Sequence, residues 1–91
     1  MELEYDPQKS EANKLKHGID FEEAKAIRDD GASIQLNTYF VEEKRFLVVG
    51  AIEQVLWTAV ITYREQRIRI ISVRRARDRE IDAYQNNSRR V

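Results

Sequence analysis

The sequence has no cysteine and only one histidine, one proline and three glycines in 91 residues. Without cysteine the chain forms neither disulfides nor thiolate metal sites, and one histidine leaves a zinc site short of its usual ligands. We therefore expect no structural metal and no cofactor. The longest apolar stretches, Phe46–Val49 and Leu56–Ile61, are too short to span a bilayer. No signal peptide is visible, so we expect a cytoplasmic protein.

The chain is short and carries no net charge. A chain of this length usually forms one domain, so we predict a single domain over residues 1–91. Residues 1–63 carry 7 Lys/Arg and 12 Asp/Glu, a net charge of −5, whereas residues 64–91 carry 9 Arg and 4 Asp/Glu, a net charge of +5. Arginine suits bidentate recognition of phosphate or carboxylate. The basic end therefore indicates a polyanion or an acidic partner, or else a solvated face and a basic tail at Arg89–Arg90.

Capping residues and apolar spacing predict three helices, over about residues 7–17, 21–29 and 76–85. The first helix has Asp6 as N-cap and Pro7 at its first position, and Gly18 can take the left-handed conformation that ends a helix. The second helix has Asp20 as N-cap and Glu23 three residues later. That spacing is the capping-box pattern, in which each side chain bonds the backbone of the other.

Period-two alternation and β-branched residues predict five strands, over about residues 3–5, 33–38, 45–52, 55–63 and 67–73. Gly50 interrupts the third strand and indicates a β-bulge. Short connections around residues 53–54 and 64–66 predict hairpins that join the last three strands in an antiparallel meander. The order β-α-α-β-β-β-β-α predicts an α+β fold. We expect an antiparallel sheet of four to five strands, with two N-terminal helices and one C-terminal helix covering one face.

Three stretches, "EYDPQKSEANKLKHGIDFEEA", "RFLVVG" and "RIRIISVRRARDREIDAY", together resemble the BrnT family of type II toxin–antitoxin toxins in order and spacing. The resemblance implies a RelE-like fold and a ribonuclease that cleaves RNA and arrests translation. It also implies neutralisation by a BrnA antitoxin, whose ribbon-helix-helix domain binds operator DNA, in a complex expected to be a heterotetramer. Toxins of this family tend to be basic, whereas this chain is neutral. The alternative is a noncatalytic, toxin-like module that binds an antitoxin and acts as co-repressor of its DNA binding.

Cleavage of RNA without a metal needs a base for the 2′-hydroxyl, an acid for the leaving oxygen, and cations that stabilise charge on phosphorus. Histidine is the residue type that titrates near neutral pH, and carboxylates and tyrosine are the other proton-transfer groups available. The catalytic candidates are His17, Arg64, Arg69, Arg75 and Glu80, with Tyr84 as a further proton-transfer group. The RNA-binding candidates are Lys16, Arg45, Arg74 and Tyr63. Two candidates also have structural interpretations, because His17 can stabilise a helix C-terminus and Glu80 can pair with Arg77 or Arg79.

The last predicted strand alternates arginine with isoleucine. Period two places Ile68 and Ile70 towards the core, Arg69 and Val73 on the opposite face, and Arg74 on the same face as the isoleucines. If Arg69 instead faces a groove on the open side of the sheet, it joins Arg45 and Arg64 as a phosphate clamp. At least one of Arg74 and Arg75, at the strand-to-helix junction, should then reach the same surface, so we expect these arginines to cluster on one side of the sheet. Apolar residues of the middle strands are expected in the sheet core rather than beneath RNA bases: Phe46, Val48, Trp57 and Ile61.

Overall fold

The computed structural model describes residues 2–37 and 44–88. Its strands are β1 (Leu3–Glu4), β2 (Ile34–Asn37), β3 (Phe46–Ile52), β4 (Val55–Arg64) and β5 (Arg67–Arg75). Its helices are α1 (Pro7–His17), α2 (Phe21–Ala24), which continues as a 3₁₀ segment (Lys25–Asp29), and α3 (Asp78–Ser88). The α+β class, the five strands and the order of the helices are confirmed. Across these described ranges, no helix has the length and apolar character needed to cross a membrane.

The strands form one sheet in the order β1-β5-β4-β3-β2. The predicted meander is confirmed, because β3, β4 and β5 are antiparallel neighbours and β2 adds to β3 in the same way. The two hairpin turns have positive φ at Glu53, Gln54, Glu65 and Gln66, as type I′ turns require. The outer strand differs from the prediction, since β1 pairs with β5 in parallel. Most of the chain separates these two strands, so no tight turn fixes their relative direction. Thr38, the last residue of the predicted second strand, lies outside the described residues.

The predicted helix caps are present. The Asp6 carboxylate accepts a hydrogen bond from the second backbone N–H of α1, and Gly18 ends that helix with φ of 80°. Asp20 and Glu23 form the reciprocal bonds of a capping box at the start of α2. The second helix is regular α only over its first turn, because Lys25–Asp29 tighten into the 3₁₀ form.

Gly50 serves close packing rather than a bulge. It pairs with Trp57 in an unbroken β3–β4 register, so the predicted bulge at this position is wrong. A Cβ atom here would lie 2.8 Å from Ile27 Cγ2 and 3.3 Å from the Ile27 carbonyl oxygen. Glycine therefore allows the 3₁₀ segment to approach the sheet.

The bulge lies in β5 instead. Between Ile70 and Ser72, Ile71 is an extra residue without a partner in the register with β4. An extra residue reverses the face of every later side chain in a strand of period two. Val73 therefore enters the core, where it is fully buried, and Arg74 turns to the opposite face. The uninterrupted alternation predicted for this strand is wrong beyond the bulge.

Helices cover both faces of the sheet, so the predicted one-sided arrangement is wrong. Phe21 and Ile27, from α2 and the 3₁₀ segment, pack in the core with Ala59. The preceding residue, Thr58, points to the other face, where its hydroxyl donates to the Glu80 carboxylate of α3. The near-continuous apolar runs of β3 and β4 are typical of strands buried on both sides. The expected core residues are confirmed, with one buried and the others packed against the core: Ile61, Phe46, Val48 and Trp57.

Candidate functional site

The basic side chains of the sheet fall into two groups at opposite ends. Arg75 pairs with Trp57 near the start of β4, and Arg67 pairs with Arg64 at its end. Trp57 and Arg64 are seven positions apart on β4. At about 3.3 Å per residue the two ends are about 23 Å apart. One phosphate cannot contact both groups, so the expectation that Arg74 or Arg75 reaches the same surface as Arg64 and Arg69 is wrong.

At one end, Arg75 is held over an aromatic ring. Its guanidinium carbon lies 5.5 Å from the centre of the Trp57 ring, within the range of a cation–π contact. Arg75 is exposed, and within residues 2–37 and 44–88 it forms no ion pair. Its charge therefore remains available to an anion. The sequence did not reveal this contact, because it depends on the register of β4 against β5.

The neighbouring Arg74, in contrast, is neutralised by Glu80. Its two terminal nitrogens donate to the two carboxylate oxygens at 2.7 and 2.8 Å, a bidentate pair. The same carboxylate accepts hydrogen bonds from the Thr58 hydroxyl at 2.9 Å and from the Arg77 backbone N–H at 2.8 Å. The structural interpretation predicted an ion pair with Arg77 or Arg79. Glu80 does form an ion pair, but with an arginine of the sheet rather than with Arg77 or Arg79. The pair therefore holds α3 against β5.

Glu80 is ionised at neutral pH. Burial by itself would raise the pKa of this carboxyl, but the hydrogen bonds from Arg74, Arg77 and Thr58 outweigh burial and lower the pKa to about 2. A general acid must carry a proton near the working pH, and a base needs a free lone pair. This geometry favours a structural role for Glu80, and its role in proton transfer stays an untested prediction.

Tyr84, the further proton-transfer candidate, is held by Asp30. Its hydroxyl donates to the Asp30 carboxylate at 2.8 Å, and the backbone N–H groups of Ala32 and Ala51 donate to the same carboxylate. The bond to Asp30 raises the pKa of Tyr84 above its usual value. This tyrosine therefore connects α3 to the loop before β2, and it is protonated at neutral pH.

His17 and Lys16 lie at the same end of the sheet as Arg75. β1, which precedes α1, pairs with the beginning of β5, whereas the Asn13 side chain exchanges two hydrogen bonds with the Val73 backbone near the end of β5. α1 therefore runs along β5 in the same direction, and His17 follows Asn13 by one turn on the same helix face. His17 is half-buried, and in the described ranges its imidazole makes no hydrogen bond. Lys16 is exposed.

The end of the sheet at the β4–β5 turn, here called the hairpin end, carries the remaining candidates. Tyr63 is 43% exposed and lies beside Arg64, which is exposed and forms no ion pair with the described residues. Arg69 is bonded to Glu4 of β1 at 3.2 Å, so its charge is partly neutralised. Arg45 is half-buried just before β3 and has a partner of its own. Arg64 is therefore the candidate at this end with the most available charge.

Two residues at these sites were not among the sequence-based candidates. Lys44 lines the hairpin end with Arg64, and its position directly before Arg45 at the start of a strand was an available signal. Thr58 is fully buried against Glu80, and no local pattern indicated this contact between residues far apart in sequence. In the part of the chain that the structure describes, no group of three His, Asp or Glu side chains could hold a metal ion.

The sequence matches a known family over most of its length. Residues 5–80 match the family described as the ribonuclease toxin, BrnT, of type II toxin–antitoxin systems. No curated protein matches the chain. The matched range begins just before α1, includes the β2–β5 meander, and ends at Glu80. The chain therefore belongs to the BrnT family of type II toxin–antitoxin ribonuclease toxins, as the three sequence stretches predicted.

Proposed function

We propose that this chain is an endoribonuclease toxin that cleaves RNA without a metal ion and thereby arrests translation. The family match over residues 5–80 supports a ribonuclease. The observation that carries the placement of the site is the exposed guanidinium of Arg75, held over Trp57 and without an ion pair among the described residues. Pre-positioned positive charge is what a phosphoryl transition state requires. We therefore assign the proposed active site to the end of the sheet where β5 and α1 end.

The proposed reaction is an intramolecular transesterification, which forms one phosphorus–oxygen bond in the RNA and breaks another. His17 accepts the proton of the 2′-hydroxyl, the 2′-oxygen bonds to phosphorus, and the bond from phosphorus to the 5′-oxygen breaks. The 5′-oxygen takes a proton from a water molecule, and the resulting hydroxide takes the proton from His17. The products are a 2′,3′-cyclic phosphate and a 5′-hydroxyl. Arg75 and Lys16 stabilise the negative charge that builds up on the phosphate oxygens. Glu80 acts as a positioning residue, since it binds the Arg74 side chain and the Arg77 backbone N–H, which precede and follow Arg75 in the chain.

The same proposal includes a partner of the antitoxin class. The sequence resemblance supports a RelE-like fold over a single domain of residues 1–91, acting in the cytoplasm, and a BrnA-type antitoxin with a ribbon-helix-helix domain. The two proteins would form a heterotetramer in which only the antitoxin contacts operator DNA. The exposed Asp78 and Asp82 on α3 support this division, because a DNA phosphate backbone would repel them.

One observation favours the alternative, a noncatalytic co-repressor. The Glu80 carboxylate is occupied by Arg74, Thr58 and Arg77, and the Tyr84 hydroxyl by Asp30, so His17 is the proton-transfer candidate whose side chain makes no hydrogen bond within residues 2–37 and 44–88. The acidic first part of the chain also weakens its general attraction to RNA phosphates. In this alternative the basic end binds an acidic segment of the antitoxin.

Expression in a bacterial host separates the two functions. We expect the wild type to stop growth and degrade total RNA, and Arg75→Ala to lower kcat on purified RNA about a hundred- to a thousandfold, as removal of one charge-stabilising donor does elsewhere. Arg69→Ala should reduce toxicity less, because Glu4 already pairs with that arginine. Lys9→Ala, which removes an exposed cation at the opposite end of α1, is the control.

Two outcomes would contradict the proposal in different ways. Full toxicity of Arg75→Ala would remove this arginine from the site. Normal growth and intact RNA with a folded wild-type protein would favour the co-repressor.

A further inference from the structure

A cleft lies at the hairpin end of the sheet, remote from Arg75. Phe46 of β3 pairs with Ile61, and β4 continues beyond that pair through Thr62–Arg64. A cleft of about 380 Å³ lies where β4 extends beyond the start of β3. Its walls combine two cations, two aromatic rings and a hydroxyl, from Lys44, Phe46, Thr62, Tyr63 and Arg64.

The Tyr63 ring in this cleft is held in place but not covered. Its hydroxyl donates to Gln35 Oε1 at 2.9 Å, and the ring packs edge-on against Phe46 with 5.3 Å between ring centres. Tyr63 nevertheless remains 43% exposed. A ring that is fixed before binding loses little conformational entropy when a ligand stacks on it. Tyr63 is therefore suited to stack against a flat ligand.

Two cations flank this ring. The Thr62 hydroxyl donates to the Lys44 carbonyl oxygen at 2.8 Å and so fixes the backbone that carries the Lys44 side chain. Among residues 2–37 and 44–88, neither Lys44 nor Arg64 forms an ion pair, and this includes Glu65 in the adjacent turn. By contrast, Arg69, which lies farther along β5, is paired with Glu4. With respect to the residues that the structure describes, the cleft therefore offers unpaired positive charge to an anion.

The cleft lies at the far end of β4 from Arg75. Period two places Tyr63 on the same face of β4 as Trp57 and Ala59, whereas Val60 and Ser72, which are half-exposed, lie on the opposite face. A ligand in the cleft is therefore separated from Arg75 by most of the length of β4.

We propose that the hairpin cleft is a second RNA-binding subsite, which stacks a base on Tyr63 and binds the adjoining phosphates with Lys44 and Arg64. The inference rests on the proposed ribonuclease function. Alternation of an aromatic platform with cations matches the alternation of bases and phosphates in a single strand, whereas an acidic protein segment would use the cations and leave the ring unused. The separation of about 23 Å, from 3.3 Å per strand residue, corresponds to about seven stacked nucleotides at 3.4 Å each. RNA is thus bound several nucleotides away from the cleaved bond.

Binding of uncleavable RNA by the purified full-length chain tests this subsite. The probes are fluorescein-labelled oligouridines of about four and about twelve nucleotides, lengths below and above the estimated span. Both are 2′-O-methylated, so that no 2′-hydroxyl is present to attack, and Kd is measured by fluorescence anisotropy over a series of salt concentrations. The wild type should bind the long probe more tightly than the short one.

The variants change two different parts of the cleft. Tyr63→Leu should weaken binding of the long probe about five- to a hundredfold through lost stacking. Tyr63→Phe, which keeps the ring, should restore it. Lys44→Ala and Arg64→Ala should each lower the slope of log K against log salt concentration by about 0.7. Lys9→Ala is the matched control, since it removes an exposed cation of α1 outside the cleft.

Each outcome supports or overturns the subsite. Retention of wild-type affinity for the long probe by Tyr63→Leu and by a Lys44→Ala/Arg64→Ala double variant overturns it, while cleavage of total RNA by the wild type would leave the proposed function standing. Absence of both RNA binding and RNA cleavage in the wild type overturns both proposals. Binding of a labelled oligoglutamate peptide that the double variant loses, with RNA binding unchanged, would instead assign the cleft to an acidic protein segment.

Discussion

Replacing Glu80 with glutamine removes the negative charge that holds α3 against the sheet. The Glu80 side chain is 8% exposed and its carboxylate is bonded to Arg74, Thr58 and Arg77. Its pKa of about 2 lies below the ordinary 4.5. The difference corresponds to about 3 kcal/mol of folding free energy, at roughly 1.36 kcal/mol for each pH unit. Removing one partner of a buried ion pair typically costs about 3–5 kcal/mol, so both arguments give a similar magnitude for Glu80→Gln at pH 7.

The pH dependence of this loss identifies its cause. Because the pKa of Glu80 is lower in the folded chain than in the unfolded chain, its stabilisation is complete above about pH 4.5 and is lost as the pH falls towards 2. The difference in the free energy of unfolding between wild type and Glu80→Gln should therefore shrink from about 3 kcal/mol at neutral pH to nearly zero at the acid end. Urea denaturation across this pH range measures the difference directly.

A matched variant and a melting temperature complete the experiment. Asp82→Asn changes an exposed carboxylate of the same helix and should alter stability by less than about 0.5 kcal/mol. For a domain of this size, a loss of about 3 kcal/mol should lower Tm by roughly 12–24 °C at neutral pH. A Glu80→Gln variant as stable as the wild type at pH 7 would refute the assignment. A difference that stays constant down to pH 2 would show that lost packing, rather than lost charge, is responsible.

Two further substitutions test how the helices meet the sheet. Gly50→Ala should lower the free energy of unfolding by about 1–3 kcal/mol in urea denaturation, because the new methyl group meets Ile27 at 2.8 Å. Gly31→Ala, where nothing lies within 4 Å, is its control, and equal stability of the two variants would contradict the packing argument. Asn13→Ala should cost about 2–4 kcal/mol, because it leaves the N–H and C=O of Val73 without their partners. Unchanged hydrogen exchange at the Val73 amide would show that another group replaces the asparagine.

Local features were predictable because neighbouring residues decide them. The caps at Asp6 and Gly18 and the capping box of Asp20 with Glu23 are interactions over a few positions, and they are present as predicted. Apolar periodicity likewise identified every strand that the structure describes. The sequence motifs identified the family, and the match over residues 5–80 confirms it.

The candidate site was predictable in its residue types but not in its geometry. Its arginines lie on a few neighbouring strands and so were expected in one cluster, but a strand extends about 3.3 Å per residue and carries Arg64 and Arg75 to opposite ends. The availability of each charge also depends on distant partners. Glu80 neutralises Arg74 and Glu4 neutralises Arg69, whereas Arg75 is held over Trp57.

The sequence by itself determined the helix caps, the order of strands and helices, the concentration of arginine near one end of the chain, and the family. The tertiary structure alone decided the parallel pairing of β1, the bulge at Ile71, the close approach at Gly50, and the placement of α3 on the second face of the sheet. Each of these depends on residues that are far apart in the chain and meet only when the core packs. One extra residue in β5 reverses every later side chain, and no local pattern reveals where the packed sheet accommodates it.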